Sequence, residues 1–91
     1  MTIESEYLSA LELTHKMLEA AIAQDWDTLT VIEKQRARII NGKPNVSAIA
    51  SDAERRRVAI IISEIERESA EIVDRAQHWQ EDVKILLRMK Q

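Results

Sequence analysis

Apolar or small residues recur at Val58, Ile62, Ile65, Ser69, Ile72, Ala76, Trp79, Val83 and Leu86, in alternating steps of four and three. Only helical geometry returns residues at that interval to one face, so the stretch is the heptad seam of one long α-helix. Ile61, Val73 and Leu87 widen it towards the broader apolar face of a bundle helix. No Gly or Pro interrupts residues 51–91. A helix over that whole length measures about 60 Å at ~1.5 Å per residue. Whatever the remaining residues form has to be fitted against it.

Upstream, the pattern predicts two shorter helices. The first starts between Thr2 and Ser5, with Glu4 and Glu6 suiting the positive end of the helix dipole. Its apolar positions are Tyr7, Leu8, Leu11, Leu18, Ala21 and Ile22, with Leu13 and Met17 at the flanks. Ala20, Ala21 and Ala23 favour helix and allow a second backbone to come close. Asp25 is a good N-cap for the next helix, because its carboxylate can accept from free N–H groups of the first turn. That helix presents Trp26, Leu29, Ile32, Arg36 and Ile39, with Val31 and Ile40 beside them. The stem of Arg36 can pack while its guanidinium reaches solvent or a carboxylate. Trp26 reads as a corner residue between the first two helices.

Asn41-Gly42 ends the second helix, on the expectation that Gly adopts the left-handed C-terminal conformation, and Pro44 prevents continuation. The loop that follows contains Val46, Ala48, Ile49 and Ala50, so it is expected to lie against the bundle, with a short helical turn capped by Ser47. Ser51-Asp52-Ala53-Glu54 is a capping box and opens the third helix. The chain is thus expected to be a single all-α domain over residues 1–91, with helices at about 3–23, 26–40 and 52–90 and a loop at 41–51. A short first connection makes the first two helices an antiparallel helical hairpin. The hairpin packs on the long C-terminal helix in a three-helix bundle-like arrangement, and a homodimer stays open. It is expected to cover roughly half of the long helix. The uncovered half, around Trp79, Val83, Leu86 and Leu87, would carry a larger apolar stripe than monomers usually expose.

Composition narrows the function classes. There is no Cys, so neither a disulfide framework nor a thiolate metal site is available. A net charge of −3 argues against general nucleic-acid binding. Residues 1–42 hold seven acids against four bases, whereas residues 43–91 are balanced at nine each. No apolar run reaches the roughly 18 residues of a membrane span, and the acidic N-terminus lacks the pattern of a signal peptide, so a cytoplasmic protein is expected. His15 and His78 lie on separate helices without ligand spacing, and the serines and threonines have no partnered base. No metal site, cofactor or catalytic constellation is expected. Arg55-Arg56-Arg57 is the densest basic cluster; it reads as a solvated helix face, with an acidic partner as the sharper alternative. Trp79 keeps two readings, a space-filler beside the small Ala76 and Ser69 or an interface hot spot.

The segment from Leu11 to Ile40 resembles the FliT-like flagellar export chaperones. The resemblance rests on an apolar first helix and the junction Ala23, Asp25, Trp26, Asp27 and Leu29, followed by Glu33 and Arg36 one turn apart. A hairpin followed by a long heptad helix matches that architecture. The resemblance implies a chaperone for the C-terminal region of the filament-cap protein. It also implies contacts with the export ATPase complex and, in some members, with a transcriptional regulator of flagellar genes. A helix-in-groove mode needs apolar anchors at helical spacing. On that expectation Ile72, Trp79, Val83, Leu86 and Leu87 form the partner surface, with Tyr7 and Leu11 flanking it. The alternatives are a self-associating helical adaptor without a client, an all-α enzyme of the chorismate mutase type, and a nucleic-acid accessory acting through Arg55 to Arg57. The enzyme reading suffers because no convergent polar group can be named.

Overall fold

A computed structural model describes residues 2–42 and 46–89. It contains α1 (Ile3–Ile22), α2 (Trp26–Asn41), a short 3-10 turn (Val46–Ala48) and α3 (Asp52–Met89). Lys43 and Pro44 lie outside the described residues.

Local chemistry sets the boundaries. Thr2 caps α1 by accepting from the Ser5 N–H at 3.1 Å, and the Ser5 hydroxyl donates back to the Thr2 carbonyl at 2.9 Å. At the other end the Asp25 N–H reaches the Ala20 carbonyl at 2.8 Å and the Gln24 N–H reaches Ala21 at 3.1 Å. This is a Schellman closure, and Gln24 occupies its left-handed position at φ 59°. Asp25 also caps α2, accepting from the Thr28 N–H at 3.3 Å and the Thr28 hydroxyl at 2.6 Å. The hydroxyl, and then the backbone N–H, hold its carboxyl below the usual value. One acid therefore ends one helix and starts the next, which forces the tight hairpin. Ser51 caps α3 through the Glu54 N–H at 3.3 Å.

The left-handed residue expected at Gly42 is not there: its φ is −66°, and its N–H closes onto Arg38 and Ile40. Space, not backbone sign, suits glycine here, since a Cβ would sit 3.3 Å from the Ile39 carbonyl oxygen. Ser47 lies inside the 3-10 turn and not at the position before it. The loop does lie on the bundle: Ile49 is buried, and its carbonyl accepts from Arg55 Nε at 2.7 Å.

α1 is the central helix, antiparallel to α2 and parallel to α3. The pairing with α3 runs in step from Glu4 beside Arg57, through His15 beside Glu68, to Met17 and Ala21 beside Ile72. One core cluster joins Ala10, Leu11, Ile61 and Ile65, with Tyr7 and Ile39 packed on it. The other joins Met17, Ala21 and Ile72, with Leu18, Trp26, Leu29 and Ile32. α1 thus carries its own buried heptad seam, Ala10, Thr14, Met17 and Ala21. That seam differs from the expected face. Met17 is core and not flank, while Leu8 and Ile22 are exposed. Small Ala10 and Thr14 let the α3 backbone come close, and a row of small residues is a weak hydropathy signal. The Thr14 hydroxyl stays satisfied by donating to the Ala10 carbonyl at 2.8 Å.

Because α2 and α3 both lie against α1, they face each other across a diagonal. Long side chains bridge it, among them Trp26 against Trp79 and Arg36 to Ser69. The molecule is elongated, 61 × 20 × 18 Å, with α3 along its length.

Candidate functional site

Two apolar features remain uncovered. The first is the end of α3. α1 finishes level with the segment Ile72 to Trp79, so the hairpin covers more of α3 than the expected half. About ten residues project beyond it, ~15 Å of helix. Ile85, Leu86 and Leu87 are exposed there, and Val83 is half-buried. Nothing among the described residues covers them.

Trp79 marks the boundary. It was expected to lie beyond the hairpin, but its ring sits 5.4 Å from that of Trp26, tilted by 50°. It is still 37% exposed, so it belongs to both surfaces: one edge closes the hairpin corner, the other faces solvent. Its two readings are therefore not exclusive. Trp26 occupies the corner, as expected, and lines the adjacent cleft with Ala21, Ile22, Arg75, His78 and Asp82.

The second feature is the open corner between α2 and α3. One lobe, of about 240 Å³, is lined by Met17, Leu29, Ile72, Val73 and Ala76, with Glu33 at its side. A shallower lobe, of about 530 Å³, is lined by Ile40, Ile65, Ala70 and Val73, with Glu66. Arg36 and Ser69 line both lobes and divide them.

The remaining partner-surface candidates separate. Ile72 is a core residue whose side forms the floor of the first lobe. Leu11 is core at the opposite end, beside Ile61 and Ile65, and Tyr7 packs on the same cluster. Since α1 runs parallel to α3, Leu11 lies about 27 Å from Val83 along the bundle. Leu11 and Tyr7 do not flank the projecting end.

Several polar contacts have no apolar periodicity to announce them. Arg36 finds neither solvent alone nor a carboxylate: its Nη1 donates to Ser69 Oγ at 2.8 Å and Thr14 Oγ1 at 3.2 Å. His15 Nδ1 lies 2.6 Å from Glu68 Oε1, tying α1 to α3, while Glu68 Oε2 is buried without a partner among the described residues. The Trp26 indole N–H is likewise buried and finds no partner among the described residues. Two arginines of the basic cluster serve the fold: Arg55 holds the loop, and Arg57 Nε donates to Glu4 at 2.8 Å. By contrast, Glu71 and Arg75 pair at 3.3 Å along α3 at the ordinary i, i+4 spacing.

Among the described residues no group of three or more His, Cys, Asp or Glu is placed to hold a metal, and no helix is long and apolar enough to cross a membrane. The arrangement offers apolar anchors at helical spacing and hydrogen-bond donors, the equipment of a surface that binds another polypeptide. Neither a curated protein nor a solved structure matches the chain. The family model described as flagellar protein FliT matches residues 4–91. With nearly its whole length covered by that match, the chain belongs to the FliT family of flagellar proteins.

Proposed function

We propose that the protein is a flagellar type III export chaperone that holds an amphipathic C-terminal segment of the filament-cap protein and prevents its premature assembly. The projecting end of α3 is the observation that carries this reading. Val83, Leu86 and Leu87 stand at helical spacing beyond the hairpin, where they contribute little to the core and are free to anchor a partner helix, and the exposed edge of Trp79 adjoins them at the hairpin corner. Ile72 supports the surface from below. Leu11 and Tyr7 serve it only by holding the far end of α3. The export ATPase complex is a second proposed partner, and a second copy of the chain is the competing occupant of the same stripe.

The test is titration of the protein with the C-terminal segment of its own organism's filament-cap protein, followed by calorimetry and Trp emission. Saturable binding at micromolar or tighter concentration is expected, with an emission change that Trp79→Phe removes. The pair Val83→Asp and Leu86→Asp should abolish binding and leave helicity intact. No heat and no emission change, together with a mass that rises with concentration, would favour the self-associating adaptor.

A further inference from the structure

The chain reverses between α1 and α2 without a Gly or Pro anywhere in residues 3–41. Ala20, Ala21, Ile22, Ala23 and Gln24 all suit a helix that carries straight on. The reversal hangs on one backbone angle. Among the described residues Gln24 is the only non-glycine at positive φ, at 59°, a conformation that penalises any side chain with a Cβ. The Asp25 cap compensates through its two bonds from Thr28. Straightening the turn keeps its backbone bonds. The Asp25 N–H now donates to Ala20 and the Gln24 N–H to Ala21; in a continuous helix the two donors exchange these acceptors. The N–H groups of Trp26 and Asp27, in a first turn that offers no intrahelical acceptor, gain the carbonyls of Ile22 and Ala23.

Two further features fit a straightened form. The first is length. Ile3 to Asn41 spans 39 residues, against 38 in α3. Glu4 beside Arg57 and His15 beside Glu68 share one offset, 53 residues. Carried past Ala21, that offset sets residues 26–36 alongside residues 79–89, the stretch that the hairpin leaves uncovered. The second is register. Leu11, Leu18 and Ile22 of α1 and Leu29, Ile32 and Ile39 of α2 fall on a single heptad register that runs through the turn. Ile22 lies on that register yet is 56% exposed in the hairpin. Every residue of α2 also keeps some exposure, so α2 is the helix most easily lifted from the bundle.

We propose that the hairpin opens at Gln24 and Asp25 and that two copies of the chain exchange α2, each laying it on the α1 of the other. The two long helices then cross antiparallel about a twofold axis at the former turn, an isologous arrangement. Contacts between α1 and α2 are the same in both forms, so the balance rests on the hinge. The Asp25 cap favours the monomer. The left-handed strain at Gln24 and the cover gained over the end of α3 favour the exchanged dimer, as does concentration. This is not a second copy seated on the outside of a folded chain, because each copy supplies a helix that the other has given up. The exchange does not rest on the export-chaperone reading, although it withdraws the surface which that reading uses.

The test uses the full chain, which has no Cys, with spin labels on Ser9→Cys and Arg38→Cys. Both positions are exposed, and they stand level across the hairpin, since Ile39 packs on the cluster of Ala10 and Leu11. Labelled chain is mixed with an excess of unlabelled chain, refolded from urea at low and at high concentration, and separated by size exclusion. Electron–electron double resonance then reads the distance within one chain. It should lie within about two helix diameters, ~20 Å, in the monomer and near ~44 Å in the dimer, the rise along the helix from Ser9 to Arg38. Asp25→Ala removes the cap and should raise association about tenfold per hinge, about a hundredfold per dimer. Gln24→Gly should lower it by a similar factor, because glycine relieves the left-handed position and weakens the straight helix. A dimer whose intrachain distance stays short overturns the proposal. So does the absence of any dimer from the unmodified chain and Asp25→Ala alike. Cap-protein binding by the isolated monomer, with no long distance in any dimer, would leave the chaperone reading standing and this one refuted. The long distance without cap-protein binding would do the reverse.

Discussion

The two halves of α3 carry the same heptad pattern and meet different fates. From Val58 to Ile72 the seam positions Val58, Ile65 and Ile72 are buried, the last two packed against α1. Beyond Trp79, the seam position Leu86 and its neighbour Leu87 are more than half exposed. The residue types hardly differ between the halves; what differs is whether a neighbouring helix stands alongside. Periodicity therefore specifies a stripe, and the length of α1 specifies how much of it becomes core.

If that contrast is right, the largest effect of truncation belongs to the first half. Ile65→Ala should cost about 2–4 kcal/mol, because a buried methyl-rich side chain leaves a cavity. Leu86→Ala should stay within about 0.5 kcal/mol. Urea midpoints of the two variants measure this directly, and equal losses would mean that the end of α3 is already covered in solution. His15→Ala comes next. It removes the partner of the largely buried Glu68 carboxylate, at an expected cost of about 1–3 kcal/mol. A negligible change in thermal midpoint would show that water serves Glu68 equally well.

At the hairpin corner the expected change has the opposite sign. Gln24→Gly should stabilise by about 0.5–1 kcal/mol, since glycine takes the left-handed position without a Cβ penalty. A destabilised variant in the same urea titration would show that the Gln24 side chain outweighs that strain. The smallest effect concerns acid. With its carboxyl pKa lowered in the folded chain, Asp25 contributes stability that is complete above the ordinary value near 3.8 and is lost as pH falls through the lowered value. Asp25→Asn should cap α2 nearly as well at neutral pH and remove that step from the acid limb of a melting profile.

Much of this was legible because it rests on local chemistry or on large apolar side chains. The caps at Asp25 and Ser51 are readable from side chains that bond their own next turn. The buried members of the α3 seam are Val and Ile at heptad spacing. The α1 seam was readable only in part: Leu11 and Ala21 lie on the expected face and are buried, but Ala10 and Thr14 matter for what they leave room for, while Leu8 and Ile22 draw attention by hydropathy and lie outside. The reach of the hairpin also escaped the sequence. It depends on α1 and α3 starting nearly level, which the Arg57–Glu4 bond marks between residues distant in the chain. The partner surface suffered most from this. Whether a heptad position is core or anchor depends on where α1 stops, so Ile72 and Leu86 look alike in the chain and differ in the fold.

The projecting end of α3 has a consequence for how the backbone breathes. A detached helix of about ten residues is too short to persist in water, so these turns remain helical only as a continuation of the packed ones behind them. Amide hydrogens should exchange fastest near Leu87 and progressively more slowly back to Ile72, as opening runs inward from the unpacked turns to the packed ones. A bound polypeptide would erase that gradient by adding protection where there was least, making the end of α3 the segment whose exchange reports occupancy.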